Sequence, residues 1–137
     1  ISQAIFSGDT KKLEFLLEEF MIKSISSMDG VNEGFYHGMM LGLCAVLGNR
    51  YRVRSNRESG LGRFDIQLMP LVNGIPGFLF EFKHTNDAHV DLASLAEKAL
   101  QQIDEKKYDT YLRAAGVNSI IKVGIAFRGK NAVVKRA

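Results

Sequence analysis

Three ionisable residues on two successive apolar segments carry the clearest chemistry in this sequence: Asp65, Glu81 and Lys83. Arg63 to Met69 alternates, with Phe64, Ile66 and Leu68 on one side and Asp65, Gln67 and Met69 on the other. Phe78 to Lys83 alternates again, Phe78, Phe80 and Phe82 facing one way and Glu81 and Lys83 the other. An antiparallel return sets Asp65 beside Glu81 if paired residue numbers sum to an even value. A two-residue Asn73-Gly74 turn gives an odd sum and sets Asp65 opposite Phe82, so a longer loop or a bulge is predicted here. Two carboxylates meeting on a sheet repel unless a cation sits between them, and an oxygen-rich site suits Mg²⁺ or Mn²⁺. Lys83 beside such an ion can orient or help deprotonate an attacking water and offset charge growing on a phosphate. That chemistry is phosphodiester hydrolysis. On residue types alone a blander account is stronger: Glu81 and Lys83 as a solvated strand face, Asp65 as a surface acid near a turn.

The elements that must position these groups follow from periodicity. Asp9 or Thr10 can cap a peripheral first helix with Leu13, Leu16, Leu17, Phe20 and Met21 on one face. After a polar break from Ser24 to Gly30, Asn32 can cap a second helix from about Glu33 to Leu47. It is apolar almost all round and so central, and Gly34, Gly38 and Gly42 would let another backbone approach closely. Arg50 to Arg54 reads as a half-exposed strand, with Ser55, Asn56 and Ser59-Gly60 as turn residues. Asn73-Gly74 and Pro76-Gly77 mark the reversal between the two chemistry-bearing strands. Asp91 can cap a helix from Leu92 to about Lys107 with a clean apolar stripe. Tyr108 to Arg113 continues as a short helix, Ile120 to Phe127 is an interior strand, and Ala132 to Lys135 is a trailing edge strand.

With 137 residues, 46% hydrophobic and 24% charged, the chain fits one globular domain over 1–137, without internal repeat or linker. Its longest apolar stretch, Phe35 to Leu47, falls short of the roughly 20 residues of a bilayer span, so no membrane is expected. A single cysteine, Cys44, makes neither an internal disulfide nor a thiolate cage, which fits a buried hydrophobe and a cytoplasmic setting. The start at Ile1, without a secretion-signal pattern, reads as a fragment of a longer protein. A net charge of +3 permits a polyanionic partner without requiring one.

Gly62-Arg63-Phe64-Asp65-Ile66, followed by Glu81-Phe82-Lys83 in an apolar strand, resembles the PD-(D/E)XK nuclease superfamily. Phe64 stands where the motif name has Pro. More narrowly, Asn32-Glu33 with Phe35-Tyr36-His37-Gly38, Ala99-Leu100-Gln101-Gln102-Ile103 with Lys107-Tyr108, and Val123-Gly124-Ile125-Ala126-Phe127 resemble the nuclease-like domain at the C-terminus of AAA-ATPase-like proteins. The resemblance implies an α/β restriction-endonuclease-like core, a central mixed sheet flanked by helices in the order α-α-β-β-β-α-β. It implies a metal site of Asp65, Glu81 and the Phe82 carbonyl, with Lys83 as catalytic lysine and Mg²⁺ or Mn²⁺ as cofactor. Its partners would be nucleic acid and an N-terminal AAA-ATPase-like region, and its alternative role a silent module for nucleic-acid binding or assembly.

Supporting residues read two ways each. Glu33 either faces the metal or sits at a solvated helix end, where the dipole also favours an acid. Gln102 borders an apolar stripe as an ordinary polar residue, or, as in related nucleases, points with Tyr108 at the site. His37 reads as a core histidine, and His84, Asp87 and His89 as a polar loop rather than a zinc cluster. Arg52, Arg54, Arg57 and Arg63, with Arg50, either bind phosphates or keep an edge strand from pairing.

Overall fold

The alternating segments of the middle of the chain pair into a sheet. The computed structural model describes residues 9–24, 33–45, 49–58, 63–105 and 109–137, apart from the side chains of Ser24, Glu33, Arg57, Glu58, Arg63, Phe64 and Tyr111. Strands β1 (Tyr51–Glu58), β2 (Arg63–Pro70), β3 (Gly77–His84), β4 (Ile120–Arg128) and β5 (Asn131–Arg136) lie side by side in chain order. β3 and β4 are parallel and every other neighbouring pair is antiparallel. A parallel step needs a crossover. Helix α3 (Leu92–Glu105) and the short α4 (Asp109–Ala114) supply it on one face, while α1 (Thr10–Ser24) and α2 (Glu33–Ala45) cover the other. The result is the expected α/β architecture, a mixed sheet between helices.

On the α1/α2 side the middle of the sheet is apolar, with His84 at the end of β3. Ile66, Leu68, Phe78, Phe80, Phe82, Ile125 and Phe127 bury against Leu17 and Met21 of α1 and Tyr36, Met40 and Cys44 of α2. The rings of Phe78, Phe80, Phe82, Phe127 and Tyr36 stack in succession, with centroids 4.5 to 6.3 Å apart. Each such ring removed from water contributes about 1.5–3 kcal/mol. Asp9 caps α1, its Oδ1 accepting the Lys12 N–H at 3.0 Å. Glu14 of the same helix accepts the Val134 N–H at 2.7 Å, which satisfies a donor on the β5 edge.

Three expectations are corrected. β1 continues through Ser55 and Asn56, which pair with Ile66 and Asp65. A full ladder along β2 outweighs the turn preference of those two residues. Phe20 of α1 is 39% exposed rather than buried, because it lies at the border of the stripe that Leu13, Leu17 and Met21 occupy. Gly38 and Gly42 do not admit a neighbouring backbone: a Cβ at either would meet nothing within 4 Å, as both look outward from α2. The Asn32 cap, the β1–β2 reversal and Tyr108 lie outside the described residues.

Candidate active site

The β2–β3 connection is longer than two residues, as the parity argument requires. Leu71 to Pro76 make the reversal, with Gly74 in the left-handed region at φ 89°. Every β2–β3 pair therefore has an even sum, and Asp65 lies directly opposite Glu81. Side chains so placed have Cβ atoms about 4.5–5.5 Å apart. One transverse row of the sheet reads Asn56, Asp65, Glu81, Gly124, Lys135 across all five strands. On the same face, the row to one side reads Arg54, Gln67, Leu79, Lys122, and that to the other contains Arg63, Lys83, Ala126 and Val133.

Asp65 and Glu81 are 7% and 1% exposed, and they are the only polar residues fully buried among the described residues. Helix α3, packed on β3 and β4, covers Glu81. Beside Glu81, a Cβ on Gly124 would lie against the Ala96 carbonyl oxygen and 2.6 Å from the Leu100 nitrogen, so only glycine lets the helix backbone settle onto β4. The helix is fastened at both ends as well. Arg128 donates from Nη1 to the carbonyls of Asp87 (3.2 Å) and Val90 (2.6 Å) in the loop before it. Lys122 binds Asp104 near its C-terminus at 2.6 Å. Asp91 caps its start: the Ser94 hydroxyl donates to Asp91 Oδ2 at 2.7 Å and, with backbone N–H groups, holds that carboxyl below its usual range.

Burying two acids side by side is unfavourable unless positive charge compensates them. Lys83, two residues beyond Glu81 on the same face, is half-buried and supplies one cation. Among the described residues no three His, Cys, Asp or Glu side chains gather, so the acidic set here is a pair. Gln67 follows Asp65 on the same face of β2. The Oε1 atoms of Gln67 and Gln102 are buried with no hydrogen-bond partner among the described residues. Such an orphaned acceptor costs about 1–3 kcal/mol until a donor reaches it. An all-oxygen donor set, with acceptors that bound water would satisfy, fits a hard divalent ion that keeps part of its hydration shell.

The remaining expected residues divide. Phe82 puts its ring in the apolar core, which leaves only its carbonyl as a candidate ligand. Arg52 and Arg54 are exposed and share the acid-bearing face, opposite Met69 and Gln67. Arg57 and Arg63 register with Phe64 and with Lys83, and their side chains, like that of Glu33 at the start of α2, lie outside the described residues. His37 is half-buried on α2, and His84 lies 5.7 Å from the Tyr36 ring. In the following loop Asp87 Oδ1 accepts the His89 N–H at 2.9 Å, an ordinary polar turn.

Two positions escaped the reading of the sequence. Gly124 carried a signal, a lone glycine inside an apolar strand, which marks close approach of another backbone. Gln67 carried a fainter one, an amide on the acid side of the β2 alternation. A groove of about 460 Å³ between the β2–β3 loop and residues 115–119 lies at the other end of the sheet and is lined by no ionisable side chain.

No curated protein matches the chain. A family model described as the PD-(D/E)XK nuclease superfamily matches residues 31–137, which include α2, all five strands and the crossover. The paired Asp65 and Glu81, with Lys83 next on the same face, lie on adjoining strands of that matched region. The chain belongs to the PD-(D/E)XK nuclease superfamily.

Proposed function

We propose that this domain hydrolyses phosphodiester bonds of nucleic acid with the help of Mg²⁺ or Mn²⁺. The observation that carries the reading is the direct opposition of two buried carboxylates, Asp65 and Glu81, beside Lys83. Asp65, Glu81 and the Phe82 carbonyl would hold the ion, with Glu33 reaching it from the start of α2. Bound there, the ion supplies Lewis acidity to a phosphoryl oxygen and lowers the pKa of water. The protein's own groups do the rest. Lys83 orients the attacking water and offsets the charge that grows on the phosphate. Gln102, from the helix that covers Glu81, aligns the substrate. Arg52 and Arg54 on the open β1–β2 ribbon, with Arg63 on the same face, bind flanking phosphates without reading bases, whereas Arg57 registers with Phe64 on the other face. An AAA-ATPase-like region of the same protein is the partner that the resemblance implies.

The test is calorimetric titration of Mg²⁺ and Mn²⁺ into the chain and into an Asp65→Asn, Glu81→Gln double variant, followed by incubation of both with single- and double-stranded DNA and RNA. Metal binding and cleavage are expected together in the wild type and absent together in the variant. Lys83→Ala should keep metal and nucleic-acid binding and lose cleavage. A wild-type chain that binds neither ion sinks the reading.

A further inference from the structure

Gln67 stands where stability alone favours an apolar side chain. On its face of the sheet its neighbours are Asp65 and Met69 along β2, Leu79 opposite on β3 and Arg54 opposite on β1. Leu79 is 1% exposed and, with Met69, belongs to the apolar cluster under Ile103 and Leu112. A leucine or methionine at position 67 would extend that cluster towards the acids. Instead the position holds an amide whose Oε1 is buried with no hydrogen-bond partner among the described residues, Arg54 included. An acceptor buried in this way destabilises the fold, and no hydrogen bond among the described residues compensates it.

The sheet geometry indicates what does. Gln67 is the next residue after Asp65 on the same face of β2, about 6.5–7 Å along the strand. It is also the diagonal cross-strand neighbour of Glu81, about 7–8 Å away between α-carbons. From that place a glutamine side chain is within reach of water around an ion the two carboxylates hold. Mg²⁺ and Mn²⁺ sites of this kind keep several waters, each carrying protons that need acceptors.

We propose that Gln67 is an outer-sphere positioning residue for the divalent cation: its amide oxygen accepts a hydrogen bond from water in the hydration shell of an ion held by Asp65 and Glu81. The inference rests on the metal-dependent reading above and adds to it a residue outside the acidic motif. Its function is to fix the orientation of the hydrated ion against the sheet, and it contacts neither the phosphate nor the ion itself. Removal of an outer-shell partner typically weakens metal binding about 10- to 100-fold.

The experiment titrates Mn²⁺ into the 137-residue chain and follows free Mn²⁺ by electron paramagnetic resonance, for wild type, Gln67→Met, Gln67→Asn and Asp65→Asn. Thermal unfolding of each metal-free protein is measured in parallel. Gln67→Met should bind Mn²⁺ about 10- to 100-fold more weakly, while its metal-free melting temperature stays level or rises, because the orphaned acceptor is gone. Gln67→Asn, which keeps the amide but draws it back by one methylene, should also bind more weakly; it carries the test if the methionine variant does not fold. Wild-type affinity in both Gln67 variants, with affinity lost in Asp65→Asn, overturns the inference and leaves the metal reading standing. A fall in metal-free stability alongside the fall in affinity also overturns it, since the amide would then be structural. Unchanged affinity in Asp65→Asn overturns both.

Discussion

The two faces of the sheet are built from the same strands by opposite rules. Under α1 and α2, Ile66, Leu68, Phe78, Phe80 and Phe82 pack together, and each is at most 1% exposed. One residue along in either strand, the other face carries Asp65, Gln67, Glu81 and Lys83 under a helix that covers only part of it. The first face is mainly a packing surface. The second buries two carboxylates side by side and, at Gln67, an amide oxygen with no hydrogen-bond partner among the described residues, which is where function is expected to override stability. Substitution should therefore act in opposite directions on the two faces. Phe80→Ala should cost about 3–5 kcal/mol, measured by urea unfolding, by opening a cavity in the aromatic stack. Asp65→Asn, fifteen positions earlier in the chain and one strand away, should leave the metal-free stability unchanged or higher while abolishing Mn²⁺ binding. Equal losses at both positions would dissolve the distinction between the faces.

Gly124 joins the comparison because it sets how deeply α3 covers the second face. Gly124→Ala places a methyl group against helix backbone at Ala96 and Leu100, which cannot rotate aside as a side chain can. The helix must lift. The expected loss is about 1–3 kcal/mol, the usual cost of overpacking, with weaker Mn²⁺ binding as Glu81 becomes hydrated. A variant of wild-type stability and metal affinity would show that α3 does not shape the site.

Much of this was legible because the alternation has a strict period. Once Phe78, Phe80 and Phe82 are assigned to a core, Glu81 and Lys83 have no choice of side, and the parity of the turn decides whether Asp65 joins them. The helix glycines were misread for the complementary reason. A four-residue spacing states which side of a helix Gly38 and Gly42 occupy, but not whether that side meets another element or solvent. Gly124 and Gln67 depend on tertiary placement: the first on α3 crossing β4 at that row, the second on its amide oxygen finding no hydrogen-bond partner among the described residues. No periodicity encodes either.

A smaller effect tests the anchoring of α3 by pH. The hydrogen bond from Ser94 and the adjacent backbone donors stabilise the charged form of Asp91 and lower its folded-state pKa. Its contribution is therefore present above the ordinary carboxylate pKa and is lost as pH falls through the lower folded value. Asp91→Asn keeps a capping oxygen and removes only the charge. Near pH 7 the variant should melt slightly below wild type, and the gap should close as pH falls through and below the ordinary carboxylate range. Constancy of the gap across that range would mean that the charge contributes nothing to α3.

The smallest effect belongs to the apolar face and concerns reactivity. Cys44 is fully buried on α2, and burial pushes its thiol up to about 12. A free thiol near its ordinary value of about 8.5 is substantially ionised at pH 8, whereas one at about 12 holds on the order of a thousandfold less thiolate. Native protein should therefore resist iodoacetamide at pH 8 and react quickly in urea, as mass spectrometry would show. The linkage carries a sign. Above the unfolded value the denatured chain releases a proton that the folded chain keeps, so this thiol subtracts stability as pH rises beyond about 8.5. Cys44→Ala should flatten that alkaline decline, apart from a pH-independent loss for the cavity it leaves. Addition of Mn²⁺ sharpens the contrast. The ion should raise the melting temperature through the carboxylate face and protect Cys44 only in proportion to that added global stability. Faster native alkylation than global unfolding permits would mean that α2 opens by itself, and that the apolar face is not the single packed unit its stacked rings imply.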